Sequence, residues 1–262
     1  MPSEFLVVAA IGAVAAIASM SGGLVALWRK PTTMFMSIAL GFASGVLLAT
    51  TTFSMLPEAL KLSSLPITIG GFAVGFAVVY AFDLFIHRGV VAGEKSEQIH
   101  QVHRFHQHHR PRGSKVTVLA GGTSAEELIE GVSIGVGSAI NPGLGMLVAL
   151  AIAIDNFSEG LAIGELIRGG EGEKGRAATV RILGWTGVIG IAIFSSTIAG
   201  WYFLRDLPQP VLGFLFGSGA GGMFYLTVTD LIPEAEERQY QQLAAVAMAA
   251  GFMLILALSR VV

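Results

Sequence analysis

Cysteine is absent from all 262 residues, which excludes disulfides and thiolate metal ligation and leaves any metal chemistry to oxygen and imidazole donors. Charge is scarce as well. Only 13% of residues are Asp, Glu, Lys or Arg, against 53% hydrophobic, so little is left from which to build a soluble domain. The formal net charge is −2, and the basic residues are spread over the connections instead of gathered into one patch, so nothing points to nucleic acid. The N-terminus, MPSEFLVV, lacks the basic stretch and small-residue cleavage site of a signal peptide, so the first apolar run is expected to be retained.

What the chain has instead is a series of apolar runs, each of about twenty residues and able to cross a hydrocarbon layer roughly 30 Å thick. Eight are read, at about 4–27, 33–58, 65–86, 116–139, 143–167, 180–204, 209–233 and 241–261. The pattern predicts an all-α polytopic membrane protein with a single transmembrane domain over 1–262 and a His-rich loop at 88–115. Placing the N-terminus outside puts 13 Lys and Arg on the cytoplasmic side and leaves Lys61, Arg205 and Arg260 outside. The positive-inside rule then predicts both termini outside a cell (inner or plasma) membrane.

The chain also repeats itself. GFASGVLLATTTFSMLPEA (41–59) aligns with GSGAGGMFYLTVTDLIPEA (217–235) at an offset of 176, matching Gly41 with Gly217, Gly45 with Gly221, Thr51 with Thr227 and PEA with PEA. The two spans run in opposite directions, which predicts an inverted repeat of spans one to three and six to eight around a central hairpin of spans four and five. A chance coincidence of glycines is the alternative.

That hairpin carries the chain's most unusual feature. EELIEG (126–131) and DNFSEG (155–160) put five carboxylates and one amide into two apolar spans joined at Asn141-Pro142-Gly143. At 1.5 Å per residue the layer of Glu130 and Asp155 lies about 18 Å from the hairpin tip, with Glu126 and Glu159 about one turn deeper. The i, i+4 spacing places 126 with 130, and 155 with 159, on one face of each helix. No Lys, Arg or His occurs between Lys115 and Arg168. An ionised carboxylate at mid-membrane is costly unless paired, so these groups must be protonated, hydrated or bound to a cation. Glu126, Glu127, Glu130, Asp155, Asn156 and Glu159 make an oxygen-ligand set suited to one or two divalent ions. A purely structural, hydrogen-bonded acid cluster is the competing reading.

These residues point to a family. ALAIAIDNFSEGLAIG and EELIEGVSIGVG resemble the HN-x-PEG motifs of spans five and four in the ZIP (Zrt/Irt-like) metal transporters, and the order of spans, the His-bearing loop and the LIPEA ending of span seven are similar too. The resemblance implies a transporter, not an enzyme, with those six residues as a binuclear transport site. It also implies alternating access between a block of spans one, four, five and six and another of two, three, seven and eight, moving zinc, iron, manganese or cadmium toward the cytoplasm as substrate. The departures are specific: Glu126 and Asp155 stand where the family has histidine, Glu127 where it has asparagine, Ile129 and Ser158 where it has proline, and GWTGVIGIA in span six has no acid. An all-oxygen site tilts preference toward manganese, iron(II) or magnesium, although zinc accepts carboxylates.

Further candidates lie along the path. Glu58 and Glu234 are expected at the outer and inner mouths, and Asp83, His87 and Asp230 at the inner ends of their spans; interfacial or capping roles would explain each equally well. His100, His103, His106, His108 and His109 could capture metal, or belong to a solvated basic linker. Glu165 is expected to pair locally with Arg168, and Pro57 and Pro233 to terminate their helices. The partners expected are the metal ion and the bilayer, and a homodimer is compatible with the pattern. The rival functions are an intramembrane metalloenzyme and a passive cation pore.

Overall fold

The computed structural model describes residues 2–86, 115–170, 175–236 and 239–260. Among them run eight long helices: α1 Pro2–Trp28, α2 Thr33–Leu62, α3 Leu65–Ile86, α4 Lys115–Ile140, α5 Pro142–Glu165, α6 Gly175–Leu204, α7 Gln209–Glu236 and α8 Gln241–Leu258. No strand occurs among the described residues. Seven of the eight are long and apolar enough to cross a membrane. The remaining one, α4, has the length at 26 residues, but Glu126, Glu127 and Glu130 interrupt its apolar run. Ile17 (63% exposed), Ile191 (70%), Phe203 (72%) and Val246 (67%) point outward. Water would penalise so much exposed hydrocarbon, and lipid does not. The protein is an all-α, multi-pass membrane protein.

Pro57 and Pro233 do not end their helices as expected. In α2 the chain passes through a π-turn, Thr51–Met55, where the Leu56 N–H donates to Thr51 O, and continues helically to Leu62. In α7 the π-turn is Thr227–Leu231, the Ile232 N–H donates to Thr227 O, and the helix runs on to Glu236. A proline ring clashes with the carbonyl four residues back, and widening the preceding turn to an i→i−5 bond relieves that clash without breaking the helix.

Close helix pairs organise the bundle: α1 with α5, α4 with α6, α2 with α8 and α3 with α7. Glycines mark where the last two pairs meet. A Cβ on Gly41 would strike the backbone of Ala244, and one on Gly45 that of Met248. In α7, a Cβ on Gly217 would meet Thr68 O, and one on Gly221 would strike Phe72 O. Each of these contacts is separated from its counterpart by the same 176 positions at both partners. The two π-turns share that offset. Small residues permit such backbone approach, and dispersion between close-packed helices is what holds them together in lipid. Between the pairs, the central core includes Leu47, Met55, Ile134, Ile152 and Phe216, all fully buried.

Arg168 has a wider reach than the local pairing expected for it. From the π-turn Leu166–Gly170 that follows α5, its Nη1 donates to Ala26 O (2.6 Å) and Leu27 O (2.7 Å). These are carbonyls of the last turn of α1, which have no partner within the helix and attract a cation. His87, His100, His103, His106, His108 and His109 lie outside the described residues.

Candidate metal centre

The hairpin forms for local reasons. Asn141 caps α5, its side-chain oxygen accepting from Gly143 N at 2.8 Å, and Pro142 occupies the first turn, where its missing N–H costs nothing. Gly145 lies directly against Ser138 across the hairpin, so α4 and α5 start out tightly apposed. The glycines that follow the acidic motifs turn the other way: Gly131 backs onto α6 at Ile193 and Ser196, and Gly160 onto α1 at Ser19. Each acid-bearing helix is thus seated by its small face on an outer helix, with its carboxylates on the remaining sides.

Asn156 Nδ2 donates to Glu127 Oε2 at 3.2 Å and to Ala15 O on α1 at 3.4 Å. Asn156 is 0%, Glu127 1%, Glu130 4% and Asp155 4% exposed, while Glu126 and Glu159 are half-buried. Among the described residues, the charged groups acting on Glu127, Glu130, Asp155 and Glu159 are other carboxylates. Glu127 senses Asp155 and Glu126 and also meets the side chain of Glu159; Glu130 senses Glu127, Asp155 and Glu126. Glu159 senses Asp155, Glu127, Glu130 and Glu126. Glu127 Oε1, Asp155 Oδ1, Asn156 Oδ1 and Glu159 Oε2 are buried without a hydrogen-bond partner. Buried oxygens in native proteins are nearly always satisfied, so this layer calls for protons, water or a cation. The side chains are not closed around a common centre: among the described residues, no three Asp, Glu or His groups are gathered as a ready metal site.

The residues expected along the path are distributed differently. Glu58 accepts an ion pair from Lys61 at 2.7 Å, as an interfacial carboxylate would. Asp230 and Glu234 of α7 lie near enough to act on Asp155, so they extend the acidic layer toward a third helix. Asp83 is buried and its Oδ2 accepts from Tyr225 OH at 2.9 Å. Tyr225 was not anticipated. It is 2% exposed and stacks edge-on against Phe76 with centroids 5.0 Å apart. The available signal was its hydroxyl, which needs a partner wherever the ring is buried in an apolar span.

Residues 4–259 match the profile of a family described as ZIP Zinc transporter. The chain belongs to the ZIP family. Among curated ZIP relatives, the zinc transporter ZupT of Escherichia fergusonii is 28% identical over 221 residues, covering 82% of this chain and 80% of that protein. The zinc transporter ZupT of Salmonella arizonae is 27% identical over 219 residues, covering 80% and 79%. The ZIP family is one of transporters, so this chain is not an enzyme, and the metalloenzyme reading is set aside.

Proposed function

We propose that this ZIP protein carries divalent metal cations across the membrane toward the cytoplasm through a binuclear site formed by Glu126, Glu127, Glu130, Asp155, Asn156 and Glu159. The observation that carries the reading is the layer of buried oxygens on Glu127, Asp155, Asn156 and Glu159: Asp155 Oδ1 and Asn156 Oδ1 have no partner, the carboxylates of Glu127 and Glu159 meet each other, and the charged neighbours among the described residues are acids. A doubly charged ion with oxygen affinity supplies what the layer lacks. The acids are not gathered around a point among the described residues, so in this reading binding needs side-chain rotation or helix movement to complete the coordination. Asp230 and Glu234, beside Asp155, serve as the next oxygens on the inward route, with Asp83 and His87 toward the inner end and Glu58 at the outer mouth.

The architecture of this reading is one transmembrane domain of eight spans with both termini outside the inner membrane. It contains an inverted repeat of spans one to three and six to eight. The shared offset of 176 in the glycine contacts of α2–α8 and α7–α3 supports the repeat, and so do the matching π-turns. The loop 88–115 is cytoplasmic in this reading, with His100, His103, His106, His108 and His109 as a weak capture station, and a homodimer is compatible with it. The relatives are named zinc transporters, and zinc accepts carboxylates. The all-oxygen ligand set extends the candidates to the harder ions manganese, iron(II) and magnesium.

The test is metal-competition uptake by purified protein in proteoliposomes, comparing zinc, manganese, iron, cadmium and magnesium. Slow, saturable, metal-selective uptake that Glu130→Gln and Glu159→Gln each abolish is the expected result. Large unsaturated currents would make the protein a pore, and normal uptake by either variant would remove that residue from the site.

A further inference from the structure

A cavity of about 500 Å³ opens between α1, α2 and α5. Its walls include Ala18, Phe35, Ala39, Phe42, Ile154 and Phe157. The two hydroxyl-bearing residues at its edge, Ser21 and Ser158, direct their Oγ atoms to carbonyls of their own helices, Ala18 O at 2.7 Å and Ile154 O at 3.1 Å. Hence the cavity offers neither water nor an ion the two to four polar partners that either needs, and its size is that of a ligand site. Phe35 at one end is 42% exposed, so the cavity opens onto the surface that faces lipid. Two basic residues precede Phe35 in the chain. Arg29 and Lys30 follow α1, five to six residues before Phe35, and both are exposed. Arg29 lies eight residues past Ser21, about 12 Å along the helix axis. That is the spacing of a headgroup from the chain beneath it, and basic residues between membrane helices attract anionic headgroups.

We propose that this cavity, with Arg29 and Lys30 at its end, is a binding site for an anionic phospholipid. One acyl chain fills the space between α1, α2 and α5, and the phosphate meets the two cations. The placement matters because Ile154 and Phe157 alternate along α5 with Asp155, Asn156 and Glu159. The consequence for transport rests on the carrier reading above: an acyl chain wedged between α2 and the α1–α5 pair sits in a seam that must slide as the two helix blocks move, so the lipid sets how readily they do so. Binding of the lipid does not depend on that reading.

Native mass spectrometry of the purified protein, without metal, with phosphatidylglycerol or phosphatidylcholine of the same chain length, tests the site. The wild-type protein is expected to retain one phosphatidylglycerol about tenfold to thirtyfold more strongly than phosphatidylcholine, the preference that two basic residues confer. Arg29→Gln with Lys30→Gln should erase the preference, and Ala39→Phe, which fills the cavity, should abolish retention of either lipid. Ala18→Leu is a second filling variant should Ala39→Phe fail to fold. Equal retention of the two lipids by the wild type, or undiminished phosphatidylglycerol retention by a folded filling variant, would overturn the proposal. Since retention is read without metal, its failure leaves the carrier reading standing, and a failure of uptake leaves the lipid site standing.

Discussion

Glu127→Gln tests the proposed ligand role of a single oxygen. The side chain is 1% exposed; one carboxylate oxygen accepts from Asn156 at 3.2 Å and the other has no partner. Glutamine has the same shape, keeps the acceptor for Asn156, and presents an amide where the orphan oxygen was. It also gives the facing carboxylates of Asp155 and Glu159 a donor in place of a like charge. The unliganded protein should therefore melt at the same temperature as the wild type or slightly above it. Metal affinity should move the other way. Losing a charged oxygen partner is worth about 1.5–3 kcal/mol, or about 10- to 150-fold in affinity.

Thermal shift reads both effects at once. With metal at 100 times the wild-type Kd, binding stabilises the wild type by about 2.7 kcal/mol. At about 2–4 °C per kcal/mol for a chain of this size, that is a rise of about 5–10 °C. A variant binding about 30-fold more weakly gains about 0.9 kcal/mol under the same conditions, a rise of about 2–4 °C. The reasoning fails if Glu127→Gln keeps the full metal-induced shift and the wild-type uptake rate. If instead its unliganded form melts lower and the shift survives, Glu127 is a structural acid.

Gly45→Ala should destabilise by about 1–3 kcal/mol, because the new methyl meets the Met248 backbone, its carbonyl carbon 2.7 Å away. Gly70→Ala, with nothing within 4 Å, should be neutral or stabilising by up to about 1 kcal/mol; equal melting temperatures for the two would argue against close α2–α8 packing. Tyr225→Phe removes the donor to Asp83 and should cost about 1–3 kcal/mol, measured by denaturation in detergent, whereas an unchanged midpoint would mean that the bond is not made. Metal binding to carboxylates displaces protons, so uptake at fixed metal should weaken as the pH falls from about 8 to about 5. A pH-independent rate would show that protons and metal do not share these oxygens.

The polytopic all-α architecture and the limits of its helices were legible because lipid imposes a simple rule: about twenty apolar residues per crossing, with charge left in the connections; seven of the eight helices meet it. The span expected at 65–86 is the helix Leu65–Ile86, and the others differ mainly by a turn at their ends. The acidic layer was legible for the related reason that carboxylates inside such runs are costly. Partner choice was not. That Gly131 backs onto α6 and Gly160 onto α1 depends on which helices meet, and the periodicity of one apolar span is silent on that. The prolines misled because a proline reads as a stop when only the i→i−4 ladder is considered; the π-turns at Thr51–Met55 and Thr227–Leu231 are the alternative it overlooks. Arg168 was assigned Glu165, the nearest acid in sequence, and its reach to carbonyls of α1, 141 to 142 positions away, was not read.

The pairing of helices bears directly on how the acidic layer can work. Asn156 bonds at once to Glu127 on α4 and to Ala15 O on α1, Gly160 seats α5 on α1, and Gly131 seats α4 on α6. Glu127, Asp155, Asn156 and Glu159 are therefore fixed to one set of helices, α1, α4, α5 and α6, and Arg168 ties the far ends of α1 and α5 together. Asp230 and Glu234 belong to α7, which packs on α3 through Gly217 and Gly221. Any displacement of one set against the other leaves the α4–α5 oxygens in register but changes their distance from the α7 acids beside Asp155. In the carrier reading, a cation would keep most of its ligands as it travels and gain or lose oxygens from α7 at one end of the stroke. A cross-link between α4 and α6 should then spare uptake, whereas one between α5 and α7 should stop it. Continued transport with α5 and α7 locked together would exclude that movement.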